Sequence, residues 1–180
     1  NFRMYIVDNC SDDGSVAAIQ TFIDEKQAAA NVVLIAAEKN GGYAYGNNLA
    51  LRVAIEQEPK PKYVWLLNPD TQLHPGAGSV LIDYLSSHDK IGMVGSRLED
   101  DDGTLQISAF RFHSPVSEFT SAMQLGILDR IFKHSLVPMP ASDAPHQADW
   151  LAGASLMIKM AVVEDIGLMD EAYFLYFEEV

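Results

Sequence analysis

Apolar runs of strand length alternate along this chain with segments of helical period, and that alternation limits the fold more than any other feature. Met4-Tyr5-Ile6-Val7, Val32-Val33-Leu34-Ile35, Tyr63-Val64-Trp65-Leu66-Leu67 and Ile91-Gly92-Met93-Val94 read as buried strands. Strands separated by crossover helices pair in parallel, so the chain is expected to be an α/β protein with a mostly parallel sheet and flanking helices. The Tyr63–Leu67 run is the most hydrophobic and is expected at the centre of the sheet, covered on both faces.

The helices follow from period and punctuation. Ser15 is placed as the N-cap of a helix reaching about Gln27, with Ile19, Phe22 and Ile23 on one face. The loop Asn40–Gly46 opens a helix to about Gln57, with Leu49, Val53 and the Ala50/Ala54 pair toward the sheet and Pro59 and Pro61 beyond its end. Pro75 suits the first turn of a helix carrying Val80, Leu81, Tyr84 and Leu85. From about Phe110 to Gln147 the alternation is lost, with prolines at 115, 138, 140 and 145. It returns with the Trp150–Ile158 run and a short helix around Ala161–Ile166.

With 180 residues, one domain is the expectation. Twelve basic against 25 acidic residues, a formal charge of -13, argue against nucleic acid as a partner. No apolar run approaches the ~20 residues of a membrane span, so no transmembrane segment is expected. The single cysteine, Cys10, permits no internal disulfide, and the start carries no charged-then-apolar leader. Both are compatible with a reducing cytoplasm, and a cytoplasmic location is expected, with the inner membrane face as a peripheral site. Both ends look cut, since neither carries a polar tail.

In an open α/β sheet, ligands bind beyond the carboxyl ends of strands. Three carboxylate-bearing stretches follow apolar runs: Asp8-Asn9, Asn68-Pro69-Asp70 and Glu178-Glu179. A carboxylate fixed by a strand end can accept a base N–H or bind a cation that bridges two phosphates. It can equally cap a helix or form a turn, to which Asp12 and Asp13 conform, and for Asp8 and Asp70 taken singly both roles stay open. Gly41-Gly42 permits close backbone approach but matches neither phosphate-binding glycine fingerprint. Asp100–Gly103 reads as a turn between Arg97-Leu98 and Leu105–Ile107. His74, His88, His113, His134 and His146 have no metal-ligand spacing, and Cys10 reads as a small thiol in a loop.

The stretches IVDNCSDDGS (6–15), NGGYAYGNNLAL (40–51), WLLNPDT (65–71), DWLAGASLMIK (149–159) and GLMDEAYFLYFEEV (167–180), in this order, resemble the family 2 inverting glycosyltransferases of GT-A fold, especially rhamnosyltransferase-like members. The resemblance implies a nucleoside-diphosphate sugar donor, such as dTDP-rhamnose or a UDP-sugar, and a saccharide or lipid-linked acceptor. Asp8 is similar to the aspartate that pairs with the pyrimidine ring, with Asn9, Asp12, Asn40, Gly42, Asn47 and Asn68 on the nucleotide side. Asp70 stands at the DxD-type position and would take Mg2+ or Mn2+; Asn68 replaces the motif's first carboxylate. Trp150 and Gly153 match the border of the acceptor site. Glu178 and Glu179 match the Glu-Asp pair holding the general base, with Glu179 at the aspartate's place. By the same resemblance, residues 1–98 form the nucleotide-sugar half and 99–180 the acceptor half, and Asp8, Asp70 and Glu179 are expected to share one site.

The family's first strand has no counterpart before Asn1, and its residues after the Glu-Asp pair are missing; a truncated domain with an exposed sheet edge is expected. Two other readings compete. A nucleotidyltransferase would carry a basic, glycine-rich loop near its start. A receiver-like or sugar-binding module would use its carboxylates without catalysis and leave Glu178-Glu179 with no task.

Overall fold

The computed structural model describes residues 2–115, 117–119 and 136–174. These fall into two compact units, one built from described residues of Asn1–Val64 and Lys159–Glu178, the other from those of Trp65–Ile158.

In the first unit, β1 (Met4–Asp8) pairs in parallel with β2 (Val32–Ala36), in register from Met4↔Val32 to Asp8↔Ala36. The crossover is α1 (Ser15–Glu25). Parallel pairing brings both strands to their carboxyl ends at one edge, so the loops after Asp8 and Ala36 leave side by side, and the Ala37 amide donates to the Asp8 carbonyl at 2.9 Å. α2 (Gly42–Ile55) starts from the second of these loops. The core of this unit gathers Ile23, Ala44, Leu51 and Ala54 with Met160 and Val163 of α4 (Met160–Ile166).

The second unit holds most of a three-stranded sheet in the order β3-β7-β4, comprising β3 (Tyr63–Leu67), β7 (Ser155–Lys159) and β4 (Met93–Gly95). β4 and β7 are antiparallel, from Met93↔Ile158 to Gly95↔Leu156. Between β3 and β4 lies α3 (Ala77–Ser87), which buries Leu85. A two-stranded antiparallel pair, β5 (Ala109–Phe110) with β6 (Trp150–Leu151), completes it. A polar chain runs through this core: the Trp65 indole N–H donates to Ser155 Oγ at 2.9 Å, and Ser155 Oγ lies 2.6 Å from Ser96 Oγ.

Three expectations change. β3 is an edge of its sheet and β7 the middle strand, since Ser155–Ile158 are buried in succession. Gly14, at φ 85, caps α1 in place of Ser15, whose N–H and hydroxyl both reach Asp13 Oδ1, at 3.0 and 2.5 Å. On that helix only Ile23 is buried, while Phe22 is 59% exposed with the Lys26 ammonium 5.6 Å above its ring.

The inward face of α2 is also rotated. It runs through Ala44, Asn48, Leu51 and Ala54, leaving Val53 exposed. A period count that passes over Asn48 as polar settles on the adjacent stripe instead. At Asp100–Gly103 the turn reading matches the structure: Gly103 N–H donates to the Asp100 carbonyl at 2.8 Å, and Glu99 bridges Leu105.

Candidate functional site

The first unit assembles a polar surface at the carboxyl ends of β1 and β2. Asp8 closes β1 and is 6% exposed. Its Oδ1 accepts the Ser11 N–H at 2.9 Å, which holds the following loop, while Oδ2 has no hydrogen-bond partner among the described residues. A strand end thus carries one carboxylate oxygen fixed and one open to a donor.

Asn9 ties this edge to the glycine loop. Its Nδ2 donates to the Gly42 carbonyl at 2.9 Å and its Oδ1 accepts the Gly41 N–H at 3.3 Å. Asn40 turns the loop by accepting the Gly42 N–H at 3.1 Å, and Asn47 donates back to the Tyr43 carbonyl at 3.0 Å. These three asparagines therefore shape the loop through their own hydrogen bonds. Asp12 is exposed. Asp13 is held below the ordinary carboxylate range, first by the Ser15 hydroxyl and then by its N–H, as befits a helix-start residue.

Gly42 has two structural reasons to be glycine. Its φ is 84°, and a Cβ there would stand 2.0 Å from the Phe174 carbonyl oxygen. Replacing it with alanine is expected to destabilise the protein by about 1–2 kcal/mol from left-handed backbone alone, more with the clash, as read by denaturant unfolding.

In the second unit, the turn after β3 carries Asn68 and Asp70. Asn68 N–H donates to the Ala154 carbonyl at 2.9 Å, and the Asn68 carbonyl accepts the Thr71 N–H at 3.2 Å and the Thr71 hydroxyl. Asp70 projects from this braced turn, exposed and without a hydrogen-bond partner among the described residues. No group of three or more His, Cys, Asp or Glu among the described residues forms a metal cage. A cation of the Mg2+ kind takes one or two carboxylates and fills the rest of its shell with water and substrate phosphates, so a lone exposed carboxylate such as Asp70 meets its minimum protein requirement.

Trp150 lies flat on Phe110, with ring centroids 4.0 Å apart and planes 12° apart, and its indole N–H donates to the Arg111 carbonyl at 3.1 Å. A half-open cavity of about 300 Å³ is lined by Arg111, Met139, Gln147, Ala148 and Asp149. Gly153 sits in the turn between β6 and β7. His74 meets Glu99 at 2.8 Å, and His113 meets Glu118 at 2.6 Å. Glu178 and Glu179 lie outside the described residues, as does His134.

The model of glycosyl transferase family 2 matches residues 1–142. The chain belongs to this family. Among its relatives, an N-acetylglucosaminyl-diphospho-decaprenol L-rhamnosyltransferase of Mycobacterium tuberculosis is 27% identical over 97% of this chain and 57% of its own length. The low-salt glycan biosynthesis hexosyltransferase Agl10 of Haloferax volcanii is 27% identical over 78% of this chain and 41% of its own. Rhamnosyltransferase WbbL of Escherichia coli is 23% identical over 78% of this chain and 53% of its own. The chain thus spans about half the length of the curated relatives it matches. A mannosyltransferase of Pyrobaculum calidifontis, solved with GDP-Man and Mn2+, superposes with a TM-score of 0.57 at 16% identity, covering 94% of this chain and 38% of that one. The fold of this family 2 member is accordingly α/β, of the GT-A type.

The sequence reading missed a second polar centre on α2. Asn48 is completely buried, and its side chain bonds Met169 and Glu171. The signal was a polar residue on the apolar stripe between Ala44 and Leu51. Glu171 also meets Arg52 at 2.6 Å. Its carboxyl is held below its ordinary 4.5, first by Asn48 and then by Arg52, with the Lys39 charge adding to the effect. A lowered folded-state pKa stabilises the fold above the ordinary carboxylate range, and that contribution is lost as pH falls through the folded value.

Proposed function

We propose that the protein moves a hexosyl group from a nucleoside-diphosphate sugar to an acceptor hydroxyl with inversion, in the assembly of a cell-surface polysaccharide. The observation carrying this reading is Asp8: a buried carboxylate at a strand end, one oxygen anchored and the other open, in a member of family 2. That oxygen suits the ring N–H of a uracil or thymine base. Asn9, Asn40, Asn47 and Gly42 shape the adjoining loop, with Asp12 at its rim, and Asn68 braces the turn that presents Asp70.

Asp70 would hold Mg2+ or Mn2+ together with the donor diphosphate. A cation bound there would supply positive charge against that building on the departing diphosphate. Glu179, or Glu178 beside it, takes the proton from the acceptor hydroxyl as that oxygen attacks the anomeric carbon from the side opposite the diphosphate. The new C–O bond forms as the bond to the diphosphate breaks, through an oxocarbenium-like transition state. Trp150 offers the acceptor an aromatic wall, with Gly153 in the turn that follows its strand.

The names of the mycobacterial and E. coli relatives favour a rhamnosyl donor such as dTDP-rhamnose, and the former a diphospho-lipid-linked saccharide as acceptor. No helix among the described residues is long and apolar enough to cross a membrane. We propose separately that a lipid-linked acceptor is met by peripheral approach to the cytoplasmic membrane face.

Thermal unfolding with UDP, dTDP or GDP, each with and without Mg2+ or Mn2+, tests the donor side. At a ligand concentration of 100 Kd, stabilisation of about 2.7 kcal/mol is expected for one pyrimidine nucleotide, and less without the cation. Stabilisation by none of the three, in the natural full-length protein, would count against the reading. Transfer from a panel of radiolabelled nucleotide sugars then names the donor.

A further inference from the structure

The segment 167–174 is held by polar bonds to one face of α2. Asn48, without solvent exposure, donates from Nδ2 to the Met169 carbonyl at 2.9 Å and accepts the Met169 N–H at Oδ1 at 3.1 Å. One side-chain amide therefore satisfies both backbone groups of one residue, as a neighbouring strand would. Nδ2 donates again to Glu171 Oε1 at 2.9 Å, and the same oxygen takes Arg52 Nη2 at 2.6 Å. Asn48 and Arg52 lie one turn apart on α2, so the two donors reach the carboxylate from the same side.

At the start of the helix, the Tyr43 N–H, which has no partner within the helix, donates to the Phe174 carbonyl at 3.1 Å. That carbonyl rests on the bare Cα of Gly42. The segment thus runs back along α2, from Asn48 at Met169 to the glycine loop at Phe174. Leu168 and Met169 are half-buried, but apolar burial does not account for the place of the far end, where Tyr173 is 48% and Phe174 59% exposed. Its neighbours in sequence are Glu178 and Glu179, four and five residues beyond Phe174.

We infer that Asn48 and Glu171 are positioning residues for the reaction, fixing the course of residues 169–174, the segment that precedes Glu178 and Glu179 in sequence. This rests on the reading of Glu179 as general base. A leucine at position 48 would continue the apolar stripe of Ala44 and Leu51, but would leave the Met169 amide and carbonyl without their partner. The buried amide sets a path for the backbone that packing alone leaves open.

The test uses Asn48→Ala, Glu171→Ala and Glu171→Gln in the natural full-length protein. Three quantities are read: hydrogen exchange at the Met169 and Tyr43 amides, affinity for UDP, dTDP and GDP, and kcat and KM with the best donor of a nucleotide-sugar panel. Both alanine variants are expected to speed exchange at those two amides about tenfold or more while the β1–β2 amides keep their protection. They are expected to lower kcat by about tenfold to a hundredfold, with nucleotide affinity within about twofold of the parent. Glu171→Gln keeps an acceptor for Asn48 and is expected to recover most of the lost kcat. If Asn48→Ala does not fold, the surface variant Glu171→Ala carries the test alone.

Unchanged kcat in a variant whose segment exchanges faster overturns the positioning role and leaves the transferase reading standing. Unchanged exchange, or nucleotide affinity falling in step with kcat, also overturns it. Failure of the parent protein to transfer any sugar overturns the transferase reading, and the positioning role with it.

Discussion

Glu179→Gln is expected to lower turnover by about a hundredfold to ten-thousandfold while leaving nucleotide affinity unchanged, because the amide cannot take the acceptor's proton. The substitution keeps size and one acceptor oxygen, so it removes basicity with little change in shape. Single-turnover transfer at saturating donor is the measurement that separates this loss from slow product release. Glu178→Gln serves as the comparison. A large loss at 178 with a small one at 179 would exchange their roles, and full activity in both variants would remove the base from this stretch altogether.

Asp8 carries the second expectation. Losing a charge-assisted hydrogen bond of about 1.5–3 kcal/mol weakens binding by roughly tenfold to 150-fold, so Asp8→Ala should raise the Kd for UDP or dTDP by that factor. Alanine also releases the Ser11 N–H and with it the loop. Asp8→Asn separates the two effects, since its carbonyl can still take Ser11 while its amide turns a donor toward the base N–H. Equal losses in Asn and Ala assign the effect to base recognition; a loss in Ala alone assigns it to the loop. Isothermal titration with each nucleotide decides, and an unchanged Kd in both variants would remove Asp8 from the donor site.

The strands and the larger helices were legible because their signals are local. The apolar runs at 4–7, 32–35 and 63–67 lie within β1, β2 and β3, and the Asp100–Gly103 turn follows from its own residues. Which strand sits in the middle was not legible, since burial of β7 comes from its pairing with β3 and β4, partners distant in sequence. The face of α2 was misread for a related reason: Asn48 is inward because Met169 and Glu171, over a hundred residues away, supply its hydrogen bonds.

Asparagine is the hardest residue to judge at a site, because the short amide that could meet a ligand also meets its own backbone. Asn9, Asn40 and Asn47 were marked as nucleotide neighbours, and each is engaged by the glycine loop or the helix it opens. Asp8 stands apart, with burial and an open oxygen at a position that strand-end reasoning selects.

Both tryptophans of the chain, Trp65 and Trp150, lie in the second unit, and the Trp65 indole is wired into its core through Ser155. Intrinsic tryptophan emission would therefore report directly on that unit, with no indole of the described residues lying in the first. A tryptophan introduced at the exposed Phe22 position of α1 would give the first unit an optical signal of its own.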